Sequence, residues 1–207
     1  MTTIIDYGIG NLRSLQKAFE AAGVAVERTG DAAALARAER LVLPGVGAFG
    51  ACADELRGRG LDGPVLDAVE RGVPLLGVCV GMQLLFDASE ERGTHAGLGL
   101  LPGRVVRFER GEERLKVPHM GWNRLDAQRE HPLLDGLDAD AFVYFVHSYH
   151  AEAADASDVL ASATYGRPFP ALVGRANVAG AQFHPEKSGP AGLRLLRNFG
   201  TLEAKRR

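Results

Sequence analysis

The sequence predicts an α/β protein in which a mostly parallel sheet is flanked by helices and extended by a β-rich C-terminal half. Up to about residue 90, short runs of β-branched and apolar residues alternate with segments of helical periodicity, which is typical of a parallel sheet with helical crossovers. Beyond about residue 100, strand-like runs follow one another across short turns. We expect a single domain over residues 1–207, because 46% of the side chains are apolar and no linker or repeat interrupts the chain.

The first predicted elements are a strand at TTIID (2–6) and a turn at GIGN (8–11). Asn11 is the predicted N-cap of the helix that follows, because asparagine favours that position. Apolar residues then recur at helical spacing up to Ala22, and Gly23 is predicted to end the helix. The residues with that spacing are Leu12, Leu15, Ala18, Phe19 and Ala22.

The next strands are predicted at VAVER (24–28) and RLVLP (40–44), with a glycine-rich loop at PGVGAFG (44–50). A helix over 62–71 precedes VPLLGV (73–78), whose uninterrupted apolar character predicts a fully buried strand. The second half is predicted to contain further strands and a closing amphipathic helix: RVVRF (104–108), VYFVHSYH (143–150), VLASATY (159–165), ALVGR (171–175), VAGAQF (178–183) and the helix 188–204.

Charge and hydropathy exclude several classes of function. The chain has 24 basic and 26 acidic side chains, so no overall field attracts it to nucleic acid or anionic lipid. The longest mostly apolar stretch, 73–86, is too short for a bilayer span and contains Pro74 and Gln83. The N-terminus lacks the pattern of a secretory signal, and two cysteines, Cys52 and Cys79, are typical of reduced thiols. We therefore expect a soluble cytoplasmic protein.

The stretch GVCVGMQ (77–83) has the pattern of a nucleophile elbow, in which a strand runs into Gly-x-Cys-x-Gly and a helix, here predicted over 80–87, follows. In so tight a turn, a Cβ at Gly77 or Gly81 would collide with the chain. Cys79 would lie at the first turn of the helix, where the dipole and free N–H groups favour a thiolate. On this pattern alone, a small buried structural cysteine is an equal alternative.

The segment VAGAQFHPEKS (178–188) provides a candidate base. Pro185 biases His184 toward extended geometry, and in an extended segment residues two apart lie on the same side. Glu186 can then orient the imidazole, as the acid of a catalytic triad does. An isolated His-Pro-Glu is an ordinary surface turn, but the combination with an elbow cysteine is not. We predict that Cys79, His184 and Glu186 are catalytic.

Attack by a cysteine on a carbonyl carbon also requires donors for the resulting oxyanion. The N–H of Val80 is one such donor by the geometry of an elbow. The loop PGVG (44–47) follows a neighbouring strand, and either Val46 or Gly47 would present the second donor, unless the loop is a plain turn. Cys52 has neither an elbow nor a nearby base in the sequence, which favours a structural role.

Three other patterns are weaker. The stretch Gly8-Ile9-Gly10 lacks the third glycine of a dinucleotide fingerprint, because Arg13 stands there, and it more simply shapes a loop facing the active site or a partner. His147 and His150 have no second cluster of ligands at zinc spacing, which favours packing at a strand end and contact with a substrate through the backbone. Trp122 is either a core residue or an interface residue.

The stretch GVCVGMQ together with HPEKS resembles the triad (class I) glutamine amidotransferases, in which a Cys-His-Glu set hydrolyses glutamine and passes ammonia to a synthase. Further motifs narrow the resemblance to the glutaminase subunits of imidazole glycerol phosphate synthase. The motifs occur in order between residue 4 and about residue 199: IIDYGIGNLRSL, LPGVGAFG, MQLLFDASEE, GLGLLPG, VPHMGWN and VYFVHSYH.

The resemblance implies a flavodoxin-like sheet, no cofactor, and a heterodimer with a (β/α)₈ barrel cyclase. The cyclase would use the ammonia to form imidazole glycerol phosphate and AICAR in histidine biosynthesis. Glutamine hydrolysis in that family is weak until the barrel is docked with its own substrate, which fits a mobile PGVG loop. The positions matching the family's substrate contacts are Gln83, Glu91, Ser148 and Tyr149. The positions matching its synthase interface are Met120, Trp122, Asn123 and Lys187.

Three alternatives remain open. An amidotransferase for guanylate, aminodeoxychorismate, carbamoyl phosphate or pyridoxal phosphate would share Cys79 and the HPE motif, but not VPHMGWN together with DYGIGN. A cysteine hydrolase on a similar sheet would cleave esters or peptides and ignore glutamine. A catalytically silent scaffold would be expected to have lost at least one of the three triad residues.

Overall fold

The fold is organised around one large β-sheet flanked by helices. The structure, a computed structural model, describes residues 1–109 and 115–203. The strands are β1 (Thr2–Ile5), β2 (Val26–Thr29), β3 (Arg40–Leu43), β4 (Leu75–Val78), β5 (Phe86–Ser89), β6 (His95–Ala96), β7 (Leu101–Arg107), β8 (His119–Arg124), β9 (Asp126–Ala127), β10 (Phe142–His147), β11 (Tyr149–Ala153), β12 (Val159–Tyr165), β13 (Arg167–Arg175) and β14 (Val178–Ala181). The helices are α1 (Leu12–Ala21), α2 (Ala32–Leu35), α3 (Phe49–Gly58), α4 (Asp62–Glu70), α5 (Val80–Gln83) and α6 (Gly189–Thr201).

The large sheet has the strand order β2-β1-β3-β4-β14-β13-β12-β9. The strands from β2 to β14 in this order pair in parallel, whereas β13, β12 and β9 are added antiparallel. Strands in the middle of a parallel sheet are covered on both faces and therefore need apolar or small side chains at successive positions. The residues of β4 and β14 are buried throughout. The predicted mostly parallel sheet is confirmed.

Helix α1 illustrates how the sequence pattern produces a packed element. Leu15, Ala18 and Phe19 recur three and four residues apart, and all three are buried on one face. Phe19 packs against Phe199 of α6, with ring centroids 6.4 Å apart. Full burial of a side chain of this kind stabilises the fold by roughly 1.5–3 kcal/mol. Gly23 follows the helix with a positive φ of 78°, as predicted for a residue that ends it.

The helix predicted over 80–87 is wrong in length, because α5 ends at Gln83 and the chain then enters strand β5. The carbonyl oxygens of Leu84 and Leu85 accept hydrogen bonds from the N–H groups of Leu98 and Leu101, at 2.7 and 2.9 Å. Strand β5 also pairs in parallel with β7. These contacts with a later segment override the helical periodicity of the local sequence.

Helix α3 was not predicted, since the stretch 44–50 was interpreted as a loop. The loop ends at Ala48, and the N–H of Phe49 donates a 2.7 Å hydrogen bond to the Glu91 carboxylate. Because Glu91 lies far from Phe49 in sequence, the residues around Phe49 contain no local signal for a capped helix N-terminus. The closing helix predicted over 188–204 is confirmed as α6, and residue 204 lies outside the described residues.

Two smaller sheets, with strand orders β11-β7-β5-β6 and β10-β8, combine β5 and β6 with strands of the C-terminal half. The predicted β-rich character of this half is confirmed. Strand β10 ends at His147 and β11 begins at Tyr149, so the chain changes sheets at Ser148. This junction faces the end of β4 across a cleft. None of the helices in residues 1–109 and 115–203 has the length and hydrophobicity needed to cross a bilayer.

Candidate active site

Cys79 follows β4 directly and has an unusual backbone conformation, with φ 55° and ψ −112°. A Cβ added to Gly77 would lie 2.5 Å from the carbonyl oxygen of Gly81. A Cβ added to Gly81 would collide with the carbonyl oxygen of Leu43. The backbone therefore approaches itself too closely for any other residue at these two positions, as the elbow pattern predicted. Conformations of this kind occur at sites where the surrounding structure holds a functional side chain in place.

The imidazole of His184 lies between the Cys79 thiol and the Glu186 carboxylate. Its Nδ1 is 2.9 Å from Oε1 of Glu186, and the two side chains are only 5% and 2% exposed. Burial alone would lower the pKa of His184, but hydrogen bonds and charge from Cys79 and Glu186 outweigh burial and raise that pKa to about 10. The arrangement favours an imidazolium beside the sulfur, which is the kind of partner that an attacking cysteine requires.

The predicted geometry of the His-Pro-Glu segment is correct only at its first residue. His184 is extended, with φ −95° and ψ 101°, but Pro185–Lys187 form a turn of 3₁₀ helix. The N–H groups of Lys187 and Ser188 donate to the carbonyl oxygens of His184 and Pro185, at 3.0 and 3.1 Å. Proline suits the first position of such a turn, because an N–H group at that position would have no hydrogen-bond partner within the turn. The carboxylate therefore reaches the imidazole around a turn and not along a strand.

The predicted contribution of the helix N-terminus to the thiolate is reduced in two ways. Helix α5 has only 4 residues, so few aligned peptide dipoles act on the sulfur. The N–H groups of Met82 and Gln83 donate to the carbonyl oxygen of Cys79, and the N–H of Val80 donates to Gly45 O at 3.3 Å. The imidazole of His184 is therefore the principal group supporting the thiolate.

The PGVG loop lies directly against the elbow. A Cβ on Gly45 would lie 2.5 Å from the amide nitrogen of Gly81, so this close approach also requires glycine. Because the Gly45 carbonyl accepts the Val80 N–H, that predicted oxyanion donor is occupied in this structure. Val46 and Gly47 both line the cleft beside Cys79.

The thiol and imidazole open onto a cleft of about 350 Å³ between the large sheet and the β10–β11 junction. A volume of this order accommodates a small amino acid and water. The cleft brings together the elbow, the PGVG loop, two residues of the predicted triad and the predicted substrate residues: Val46, Gly47, Cys79, Val80, Gln83, Glu91, Pro118, Val146, His147, Ser148, Tyr149, His184 and Lys187.

Comparisons with known proteins agree with this geometry. A model of the family described as glutamine amidotransferase class-I matches residues 3–201. The imidazole glycerol phosphate synthase subunit HisH of Salinibacter ruber is 63% identical over 206 residues, which cover 98% of this chain and 94% of that protein. The HisH subunit of Geobacillus thermodenitrificans is 52% identical, with 96% of this chain and 94% of that protein covered. The chain belongs to the HisH family of class I glutamine amidotransferases.

Solved structures extend the agreement to the fold. A glutamine amidotransferase crystal structure superposes on this HisH-family chain with a TM-score of 0.76 at 22% identity, covering 97% of this chain and 99% of that one. The structure of PurLQS from Thermotoga maritima matches with a TM-score of 0.73 at 20% identity, covering 96% of both chains. The predicted flavodoxin-like α/β fold is confirmed, and this amidotransferase is an enzyme.

In this amidotransferase, the orientation of the Gln83 side chain is determined by its partners. Its Nε2 donates to the carbonyl oxygen of Tyr149 and to Oε1 of Gln182, both at 3.0 Å. Both N–H donors of the carboxamide are therefore used within the protein. The remaining acceptor, Oε1, is the group that Gln83 offers in the cleft.

The other predicted substrate residues also lie at the cleft. Glu91 uses one carboxylate oxygen to accept the N–H of Phe49 at the start of α3, which fixes the side chain beside the PGVG loop. Ser148 and Tyr149 belong to the β10–β11 junction on the opposite wall. The structure thus places all four predicted substrate residues around the same space, although residues 83 and 149 lie far apart in sequence.

The predicted interface residues divide into two groups. Met120 and Trp122 project from β8 and are 63% and 55% exposed, so of the two interpretations of Trp122 the core one is wrong. Lys187 lies at the cleft with its Nζ 5.6 Å from the centre of the Tyr144 ring. The amide of Asn123 instead donates to the carbonyl oxygen of Thr164 at 2.8 Å. This bond supports β8 from within the chain, and the interface role of Asn123 stays a prediction.

Sequence reasoning missed two residues that touch the triad. Gln182 is fully buried, and its Nε2 is 4.0 Å from the sulfur of Cys79. Asn11 occupies the N-cap position of α1, but its side chain makes no capping hydrogen bond and instead donates to Oε1 of Glu186 at 3.5 Å. A polar residue within the apolar run VAGAQF was a signal for Gln182, whereas nothing local indicated the contact of Asn11.

Three buried histidines pack behind the cleft around Phe108. Nδ1 of His147 lies 2.8 Å from the carbonyl oxygen of Tyr149 and must donate to it. Its Nε2 then accepts from Nδ1 of His119 at 3.1 Å. Burial lowers the pKa of His147 to about 3 and that of His119 to about 4, so the pair is neutral. These neutral rings fix the Tyr149 carbonyl that also holds Gln83.

Proposed function

We propose that this amidotransferase hydrolyses L-glutamine to glutamate and ammonia through a cysteinyl thioester. The Cys79 thiolate attacks the side-chain carboxamide carbon, and His184 protonates the departing ammonia, which leaves a γ-glutamyl thioester on sulfur. His184 then takes a proton from water, whose oxygen attacks the thioester and releases glutamate and the thiolate. Glu186 holds the imidazole and stabilises its charged form. The observation that carries this proposal is the buried imidazole placed between thiol and carboxylate at the cleft.

We infer that Gln83, Glu91, Ser148 and Tyr149 bind the substrate. Free glutamine carries an α-ammonium group, which the Glu91 carboxylate complements in charge. The Gln83 acceptor complements an N–H donor of the substrate, because both of its own donors are used within the protein. The family resemblance supports the same four positions.

We also propose that the PGVG loop must rearrange before the thioester can form. In a trans peptide the C=O and N–H point in opposite directions, so the Gly45–Val46 peptide now directs its N–H away from Val80. Rotation of this peptide by half a turn would move the Gly45 oxygen away from the Val80 N–H. The Val46 N–H would then occupy the position that the Gly45 oxygen has now. An oxyanion could then accept both donors. Of the two predicted second donors, this argument favours Val46 over Gly47.

We propose that the ammonia passes to a (β/α)₈ barrel cyclase, which makes imidazole glycerol phosphate and AICAR for histidine biosynthesis in the cytoplasm. The names of the curated relatives support a synthase partner. Exposed Met120 and Trp122 on β8 offer an apolar surface. Lys187 lines the cleft and lies over the ring of Tyr144 on β10, the strand that pairs with β8. Ammonia is protonated in water and then no longer a nucleophile, so a dry passage into its consumer has a physical advantage.

The test measures ammonia release from glutamine with and without the candidate barrel subunit and its nucleotide ligand. We expect weak release by the isolated chain and strong release in the complex. Cys79→Ala and Cys79→Ser should abolish glutamine-dependent synthesis and retain synthesis from ammonium salts, which bypasses the thioester. Full glutaminase activity of Cys79→Ala would show that the nucleophile is wrongly assigned.

Two further measurements separate the alternatives. Copurification with the barrel, or rescue of a histidine-requiring strain, distinguishes this function from amidotransferases with other consumers. Labelling of Cys79 by an electrophilic glutamine analogue, with protection by glutamine, argues against an ester or peptide hydrolase and against a silent scaffold. Labelling that glutamine does not prevent would contradict the proposed substrate.

A further inference from the structure

The PGVG loop is held by two side chains that the proposed mechanism does not use. The hydroxyl of Tyr7, at the end of β1, donates a 2.6 Å hydrogen bond to the carbonyl oxygen of Pro44. The thiol of Cys52, on α3, donates to the carbonyl oxygen of Val46 at 3.3 Å. Both side chains are fully buried. We refer to Tyr7 and Cys52 together as the clasp.

The clasp fixes the two peptide planes on either side of the one that faces the elbow. Its hydrogen bonds hold the carbonyls of Pro44 and Val46, whereas the carbonyl between them, that of Gly45, accepts the Val80 N–H. The Gly45–Val46 peptide is thus the only one of these three whose carbonyl is not bound by the clasp. Its rotation changes ψ of Gly45, which has no Cβ to hinder the motion, together with φ of Val46.

Burial keeps both members of the clasp protonated and therefore able to donate. It raises the pKa of Tyr7, and the neighbouring Cys52 raises it further. Burial likewise raises the pKa of Cys52, against the opposing effect of the neighbouring Tyr7 hydroxyl. The two side chains contact each other as well as the loop, so they form one connected support between β1, α3 and the PGVG loop.

We propose that Tyr7 and Cys52 are positioning residues that anchor Pro44 and Val46, so that only the Gly45–Val46 peptide turns when the oxyanion site is completed. This inference rests on the loop rearrangement of the proposed function. With the flanking planes fixed, a half turn delivers the Val46 N–H beside the Val80 N–H. Without the anchors the whole loop can shift, and its donor no longer meets the developing oxyanion at a fixed distance.

The experiment uses the complex with the barrel subunit and measures kcat and KM for glutamine. Tyr7→Phe removes only the hydroxyl and should lower kcat roughly tenfold at unchanged KM, because the donor is misplaced only in the transition state. Cys52→Ala should lower kcat about threefold, since a thiol is the weaker donor. Cys52→Ser keeps a donor and should recover most of the wild-type kcat. Val65→Ala, a truncation at an equally buried site on α4, should leave kcat unchanged.

Alkylation by iodoacetamide, followed by mapping of the modified peptide, provides a second readout that requires the Cys79 thiolate but no oxyanion site. We expect the same alkylation rate in wild type, Tyr7→Phe and Cys52→Ala. A loss of kcat accompanied by equally slowed alkylation would place the defect at the nucleophile and overturn the clasp. A wild-type kcat in Tyr7→Phe, or failure of Cys52→Ser to recover activity, would also overturn it. A wild-type complex that does not hydrolyse glutamine would instead refute the proposed function.

Discussion

Replacement of Glu186 by glutamine tests how much of the triad's effect is due to charge. The introduced carboxamide would retain an oxygen that accepts the Nδ1–H of His184, so the ring orientation would persist while the negative charge is lost. At the observed 2.9 Å and an effective dielectric constant of about 20, the carboxylate stabilises the imidazolium by roughly 6 kcal/mol. Because about 1.4 kcal/mol corresponds to a factor of ten, the upper limit of the effect is roughly four orders of magnitude. The variant no longer has the free-energy cost of burying the Glu186 charge, which makes the effect smaller than this limit. We therefore expect kcat to fall about 10³- to 10⁴-fold.

The assay is ammonia release from saturating glutamine by the complex, with ammonium-dependent synthesis measured on the same samples. The latter should remain at the wild-type level, because it does not use the triad. Asp158→Asn is the matched control, since Asp158 is also a buried carboxylate and pairs with Arg175 at 2.8 Å. If Glu186→Gln retained more than about a tenth of the wild-type kcat, the reasoning from charge would be wrong.

Three further predictions concern the surroundings of the triad. Gln182→Leu removes the amide that lies 4.0 Å from the Cys79 sulfur and should slow alkylation of Cys79 by iodoacetamide, because a donor to the sulfur is lost. An unchanged alkylation rate would exclude this role. Burial lowers the pKa of His147 to about 3, so the unfolded chain binds a proton at this histidine at higher pH than the folded chain does. The contribution of His147 to the free energy of unfolding is therefore fully present above about pH 6.5. It falls by up to about 1.4 kcal/mol per pH unit as the pH drops toward 3. Denaturant titrations across this range should show a slope that is smaller by about this amount in His147→Gln than in the wild type, because His119 contributes to both. Trp122→Ala should weaken binding of the barrel by about 2 kcal/mol or more, about thirtyfold in Kd, whereas unchanged titration calorimetry would remove Trp122 from the interface.

The sequence was most informative where local pattern and local geometry coincide. The apolar run of β4 predicted a fully buried strand, and the glycines around Cys79 predicted the elbow. The length of α5 was wrong because contacts of Leu84 and Leu85 with residues 98–101 decide it, and these lie outside the local window. The single domain over 1–207 stays a prediction.

The parts of the site that were missed depend on contacts between distant segments. Asn11 reaches Glu186 across 175 residues of sequence, and Gln182 reaches Cys79 across 103. Tyr7 holds Pro44 through a hydroxyl that no motif marks as functional. Each of these residues has an ordinary local explanation, as a helix cap, a strand residue or a core aromatic. Only the spatial arrangement of the sheet brings them to the triad.

The position of β14 in the sheet has a consequence for the way the enzyme is made. Among the described residues 1–109 and 115–203, this strand follows all the others in sequence, yet it lies between β4 and β13 in the middle of the sheet and is followed directly by the segment that bears His184. A nascent chain therefore exposes the sulfur of Cys79 long before a base can join it. Translation products that end before β14 would lack His184, so the proposed hydrolysis of glutamine would require insertion of this strand.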